Sequence, residues 1–263
     1  MTARCKRSAR PLSGAAATVA LALITAGCSS FSADTTGSIG KGTAQGETDW
    51  RRDADSLAER HRANPRDADV AMAYAKSLRA LGQRTQAVAV LEQASLTSPF
   101  NKALLADYGR ALIDVGQYKK ALDVLERAHT PDDPNWRVLS AQGTALDQLG
   151  RHGDAQRYYA SALKIVPDEP SVLSNLGLSY ALAKDLPRAE EMLRRAVASS
   201  KADPRVRQNL ALVVGLQGRF EEAESIARAD LPPEEAASNV AYLKQMLSDA
   251  KAGKKLRNAA PAT

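Results

Sequence analysis

The chain is poor in the residues that usually carry chemistry. Two cysteines and three histidines occur in 263 residues, too few for a disulfide framework or a His/Cys metal site. Aromatic side chains make up only 5%, with three Phe and two Trp. Gly37, Gly40 and Gly42 precede no strand, so they do not form a phosphate-binding loop. His61, His129 and His152 are scattered with no local carboxylate or thiolate arrangement, and they read as solvated helix or turn histidines. The acidic pairs Glu221–Glu222 and Glu234–Glu235 fit helix starts, where negative charge favours the dipole. Neither looks like the acid pair of a hydrolase. These absences point away from an enzyme: no catalytic residue, no metal and no soluble cofactor is expected.

One long uncharged run does exist. "MTARCKRSAR" carries Arg4, Lys6, Arg7 and Arg10 with no acid, and "PLSGAAATVALALITAG" follows without a charge. A basic end, a short apolar segment and a small-residue step are the layout of a secretory signal. The run is shorter and richer in Ala than the ~20 residues a spanning helix needs. Thr25, Ala26, Gly27 and Cys28 resemble the lipobox of bacterial lipoproteins, with Thr25 where Leu is usual. That resemblance implies a signal peptide over 1–27, cleavage before Cys28 and a diacylglycerol on its sulfur. Ser29 after the cysteine then favours the periplasmic face of the outer membrane.

Cleavage changes the bulk properties. The formal charge is +6, from 36 basic and 30 acidic residues. The signal takes four basic residues and no acidic one, so 32 − 30 leaves +2. A basic patch for nucleic acid loses most of its support, and no nucleic-acid partner is expected. Cys5 leaves too, so packing alone must hold the mature fold. The Ser/Thr/Gly-rich stretch that follows cannot bury enough apolar surface to order itself. Residues 28–48 are expected to be a flexible tether with an r.m.s. reach of roughly 25 Å.

From Trp50 onward the sequence repeats. Ala75, Gly109, Gly143, Gly177 and Ala211 recur every 34 positions, as do Ala87, Ala121, Ala155, Ala189 and Ala223. Ala94, Ala128, Ala162 and Ala196 form a third series, which fails at Asp230, and Leu91, Leu125, Tyr159 and Leu193 fall between. Pro65, Pro99 and Pro167 share one phase. Small residues at fixed phase let two helices approach, and large ones fill the space to the next pair. "ALGQ", "DVGQ", "QLGR" and "LQGR" put a Gly where the first helix must end and turn. Lys184 stands there in the fourth unit, so that turn is expected to differ. "HTPDDPNW" (129–136) interrupts the second unit and predicts a slight kink.

The pattern resembles the tetratricopeptide repeat. The resemblance implies an all-α fold: a right-handed superhelical array of five repeats, 68–101, 102–135, 136–169, 170–203 and 204–237, within a domain over 49–249. Residues 50–63 read as an N-terminal cap helix with Trp50, Leu57 and Ala58 inward. Residues 233–249 read as a C-terminal cap helix with an apolar stripe of Val240, Leu243, Met246 and Leu247. Residues 250–263 read as a disordered basic tail.

Tetratricopeptide arrays bind partners in a groove lined by their first helices. The resemblance places Asp69, Met72, Lys76, Arg79, Arg110 and Asp114 there, then Arg137, Ser140, Thr144, Asp147 and Gln148. Leu178, Ala181, Leu182, Leu212 and Leu216 follow. The groove is thus expected to be polar and basic at one end and apolar at the other, suiting an amphipathic segment, unless the C-terminal helix covers the apolar part. Asn175, Asn209 and Arg205 partly resemble a carboxylate clamp, although Ser140 and Thr144 stand where that clamp has Lys and Asn. Asn contacts to a bound peptide backbone are the broader expectation. Among envelope proteins, the lipobox, the array and the ending "LPPEEAASNVAYLKQML" are similar to the TadD-like lipoproteins of the tight-adherence (Flp) pilus system. That family implies a scaffold that helps place or assemble the pilus secretin. The alternatives are other tetratricopeptide envelope lipoproteins: an outer-membrane-protein assembly factor, a type IV pilus pilotin, or an adaptor for peptidoglycan hydrolases.

One acyl chain binds membranes only marginally, whereas the two or three of a lipoprotein hold lastingly. Cys28→Ser is therefore expected to yield an unprocessed precursor or a soluble form. Unchanged fractionation and gel mobility would contradict the lipobox reading.

Overall fold

The computed structural model describes the backbone of residues 44–259 and the side chains of 46–250. The signal peptide, Cys28, the tether as far as residue 43 and the last four residues lie outside these. Each repeat is built from two helices: α2 (Ala68–Ala80) with α3 (Arg84–Thr97), α4 (Lys102–Asp114) with α5 (Tyr118–Glu126), and α6 (Trp136–Gln148) with α7 (His152–Ile165). Two further pairs follow, α8 (Pro170–Leu182) with α9 (Leu186–Val197), and α10 (Pro204–Leu216) with α11 (Phe220–Ala227). They stand between α1 (Ala44–Ala63) and α12 (Pro233–Ala259). This is the all-α tetratricopeptide superhelix that the 34-residue pattern predicts.

Both flanking helices are longer than expected. α1 begins at Ala44 rather than Trp50, inside the expected tether, where Glu47 pairs with Arg51 one turn on at 2.7 Å. α12 continues to Ala259, through most of the expected disordered tail.

The first helix of every repeat starts the same way. Asp67, Asn101, Asn135, Glu169 and Asp203 each accept a hydrogen bond from a backbone N–H in the first turn that follows. Such a cap contributes about 1 kcal/mol. These five also recur every 34 residues, a series hidden by its changing chemistry. The first helices end in a left-handed residue: Gly82, Gly116, Gly150 and Gly218 have φ between +75° and +86°. Lys184 adopts φ +67°, so the fourth turn does not differ. Asp185 N–H still reaches back to Tyr180 O at 2.9 Å, as Gln83 N–H does to Leu78 O at 2.8 Å.

Within a repeat the two helices touch at the small positions. A Cβ added at Gly109 would lie 2.4 Å from Leu125, at Gly143 2.6 Å from Tyr159, and at Gly177 2.8 Å from Leu193. Those partners are essentially buried, as are Ala87, Ala121, Ala155, Ala189 and Ala223. The exception in the third series is an ion pair: Arg207 grips Asp230 through both carboxylate oxygens at 2.5 and 2.6 Å. On the outer face, Glu190 accepts from Gln217, Arg219 and Arg194. Burial would raise this carboxyl, but those donors outweigh it and hold it down at about 2.

Two glycine substitutions test the register. Gly143→Ala drives a Cβ into the Tyr159 ring and should cost about 1–3 kcal/mol despite its better helix propensity. Gly153, also helical, has nothing within 4 Å of its added Cβ, and Gly153→Ala should stabilise by about 0.5 kcal/mol. Chemical denaturation that gives the two variants the same midpoint would contradict this packing.

Candidate partner-binding groove

The inner face follows from which helices approach their counterparts. α2, α4, α6, α8 and α10 each pack on the next of that series, whereas the second helices do not approach one another at backbone level. The first helices therefore form the concave wall.

At the N-terminal end the groove is less basic than the sequence implied. Arg79 donates to Asp114 at 2.5 Å, with both side chains mostly covered. Arg110 pairs with Asp107 on its own helix. Lys76 is exposed and lies 5.6 Å over the Trp50 ring of α1, while Arg137 stacks on Trp136 at 4.3 Å. Half of these cations already have carboxylate partners, which reduces the attraction for an acidic ligand.

The middle of the wall is a buried polar network. Asn175 donates to Ser140 Oγ at 3.3 Å, and one repeat later Asn209 donates to Ser174 Oγ at 3.0 Å. These bonds stitch α6 to α8 and α8 to α10. Asn175 is only 6% exposed, so its side chain joins helices rather than facing a ligand. Arg205 lies 3.3 Å from Asp203. With two serines as their partners, the two asparagines do not make a carboxylate clamp.

Asp147 is the centre of this network. It accepts from Ser179 of α8 at 2.8 Å and from the Tyr159 hydroxyl of α7 at 3.2 Å, and it meets His152 Nδ1 at 2.9 Å. Thr144 Oγ1 lies 3.2 Å from the same Tyr159 hydroxyl and donates to Ser140 O. Burial pushes the Asp147 carboxyl up from 3.8, against the three donors, and burial with the Asp147 charge raises the Tyr159 phenol well above 10.0. The solvated reading of the histidines is thus corrected. His152 is tied to Asp147, His129 Nε2 meets Gln142 at 3.2 Å, and His61 is buried against Tyr74. Sequence reasoning missed Ser174, Ser179 and Tyr159 as parts of this network. The signal was present: Ser140 and Ser174, like Asn175 and Asn209, are 34 apart.

The C-terminal half is apolar. Leu178, Leu182, Leu212 and Leu216 are all half-buried on α8 and α10. α12 does not reach the leucines of α8. It packs on α10 and α11, with Leu243 seated on Gly215 and Ala236 buried beside Ala211 and Ala227, and it does not approach α8. Among the described residues no His/Cys/Asp/Glu group is arranged for a metal, and no helix is long and apolar enough to cross a membrane.

Tetratricopeptide repeat models match residues 140–205 and 204–229, and the model of subunit 3 of the anaphase-promoting complex, cyclosome, matches residues 52–128. No curated protein matches the sequence. Among solved structures the chain is similar to PilW, titled a widely conserved type IV pilus biogenesis factor. That likeness has 18% identity and a TM-score of 0.63, covering 73% of this chain and 91% of that one. It is similar to TTC0263, a thermophilic tetratricopeptide protein of Thermus thermophilus, at 22% identity and TM-score 0.59, over 68% and 99%. Pseudomonas aeruginosa pilF aligns at 17% identity and TM-score 0.55, over 68% and 82%. At these identities the likeness is one of fold. Tetratricopeptide folds are generally scaffolds for protein contacts, and no catalytic family matches.

The Asp147 network has a pH signature. A carboxyl whose folded pKa lies above the unfolded 3.8 contributes most stability below 3.8 and loses it as pH rises through the folded value. Asp147→Asn removes that loss, so its stability relative to the parent should rise between pH 4 and 7. Asp147→Ala instead strands three donors and should cost about 2–4 kcal/mol. Denaturation curves showing a pH-independent difference for Asp147→Asn would contradict the assignment.

Proposed function

We propose that this tetratricopeptide array is a non-enzymatic adaptor of the bacterial cell envelope, anchored through Cys28 to the periplasmic face of the outer membrane. In this reading it serves the Flp (tight-adherence) pilus, holding an amphipathic segment of the pilus secretin in its concave groove. The observation that carries the reading is the half-buried four-leucine floor of α8 and α10. Leu178, Leu182, Leu212 and Leu216 present a half-buried apolar surface, and α12 does not approach the α8 part of it, beside the polar network of α6. An amphipathic segment satisfies both halves, with its apolar stripe on the leucines and its polar stripe toward the exposed Gln148. The lipobox resemblance and the similarity of the ending to TadD-like lipoproteins support the envelope setting. The fold likeness to PilW and pilF supports a pilus role in general terms, and a type IV pilus factor is the second reading.

Leu178→Asp combined with Leu212→Asp places charge on the floor while leaving the buried network intact. The variant should fold and anchor like the parent, yet leave secretin monomers misplaced and the cells without pili, as a deletion should. Normal secretin multimers in the deletion strain would remove the secretin role. Wild-type piliation by the folded double variant would move partner binding away from the groove.

A further inference from the structure

The interruption "HTPDDPNW" shortens the second helix of its repeat. α5 has nine residues where α3 and α7 have fourteen. Thr130 and Asp133 then exchange backbone hydrogen bonds at 3.4 and 3.1 Å, making a tight loop. The space left by the shortened helix is a pocket of about 420 Å³, lined by Lys102, Ala128, Asp133, Pro134, Trp136 and Arg137. Its charge is one positive in excess. Lys102 reaches Asp133 at 3.0 Å, but the two side chains are 44% and 77% exposed, so the pair is weak and easily exchanged.

One repeat earlier on the same edge, Phe100 is 90% exposed and Leu96 is 78% exposed. The loop that carries Phe100 is held in place, because Arg127 donates to Pro99 O at 2.8 Å. The repeat does not require this phenylalanine: the matching positions are Arg66, Pro134, Asp168 and Ala202. A held aromatic in water, beside a cation-lined pocket that contains an indole, is a feature of interaction surfaces.

Spacing narrows the occupant. Phe100 stands two residues before α4 and Trp136 opens α6, and α4 packs on α6. Packed helices lie about 8–10 Å apart. In a polyproline II peptide, residues three apart share a face and are separated by about 9 Å. The side chains between them turn toward the flanks, where Lys102 and Arg137 lie. We infer that this edge is a second docking site, sharing Arg137 with the rim of the concave groove but separate from its leucine floor, for an extended acidic segment of a protein partner. Two bulky apolar residues three apart occupy Phe100–Leu96 and the Trp136 pocket, with carboxylates between them. The inference does not depend on the secretin reading.

The test uses the full chain in detergent and a fluorescein-labelled peptide, Pro-Phe-Glu-Glu-Leu-Pro, followed by anisotropy. Saturable binding is expected. It should weaken by at least about tenfold in Lys102→Glu combined with Arg137→Glu, as loss of charge complementarity predicts, and severalfold in Phe100→Ala. The same peptide with Lys for Glu should not bind, and Leu178→Asp with Leu212→Asp should leave binding unchanged. Thermal melts of each variant establish folding, and Phe100→Ala, at an exposed loop, serves if the charge reversal unfolds the protein. No saturation by about 1 mM, where binding is worth only about −4 kcal/mol, would overturn the inference, as would equal binding by the variants or loss in the leucine variants alone. A concentration-dependent dimer abolished by Phe100→Ala would overturn it in favour of a second copy.

Discussion

Everything in this molecule depends on how closely the two helices of a repeat approach. At Gly109, Gly143 and Gly177 there is no room for a Cβ against Leu125, Tyr159 and Leu193. That close approach sets the angle of each helical pair, and through it the stacking of pairs and the curvature of the concave face. The chain has few aromatics and no cysteine within the described residues. Its cohesion comes from the same short-range contact repeated along the array, with each repeat burying its neighbour.

Polar bonds then distinguish one junction from another. α6, α8 and α10 are joined across the inner wall by Asn–Ser pairs and by Ser179 reaching Asp147. On the outside, Arg194 reaches Glu222, and Lys120 reaches Glu92, each across 28 residues at 2.6 Å. The same outer position between the second and third repeats holds Glu126 and Asp154, two acids that cannot make this pair. This is also the junction where α5 is short and the edge pocket opens. The groove and the pocket thus have different origins: one from the regular stacking of first helices, the other from a break in it.

The sequence revealed the repeats because their small residues obey a strict period, and packing at those positions tolerates little else. The caps were harder to see, since Asp, Asn and Glu all do the job at 67, 101, 135, 169 and 203. Lys184 misled because a residue with a Cβ disfavours φ +67° by about 1–2 kcal/mol, yet the surrounding turn imposes it. The groove was legible as a set of positions but not as a surface. Nothing in the spacing tells whether Arg79 meets Asp114 or a ligand, or that Asp147, His152 and Tyr159 converge from two helices. The ends were misjudged because short polar segments such as 44–49 and 250–259 are poor helix formers alone, and here they continue the longer helices α1 and α12.

The central claim is that stability is relayed between neighbours through these contacts. Native-state hydrogen exchange on the full chain, resolved by helix, tests it directly. The account predicts the greatest protection in α6 to α8, where both neighbours and the Asp147 network contribute, falling away toward α1 and α12. Uniform protection from α1 to α12, or its maximum in a terminal helix, would contradict it.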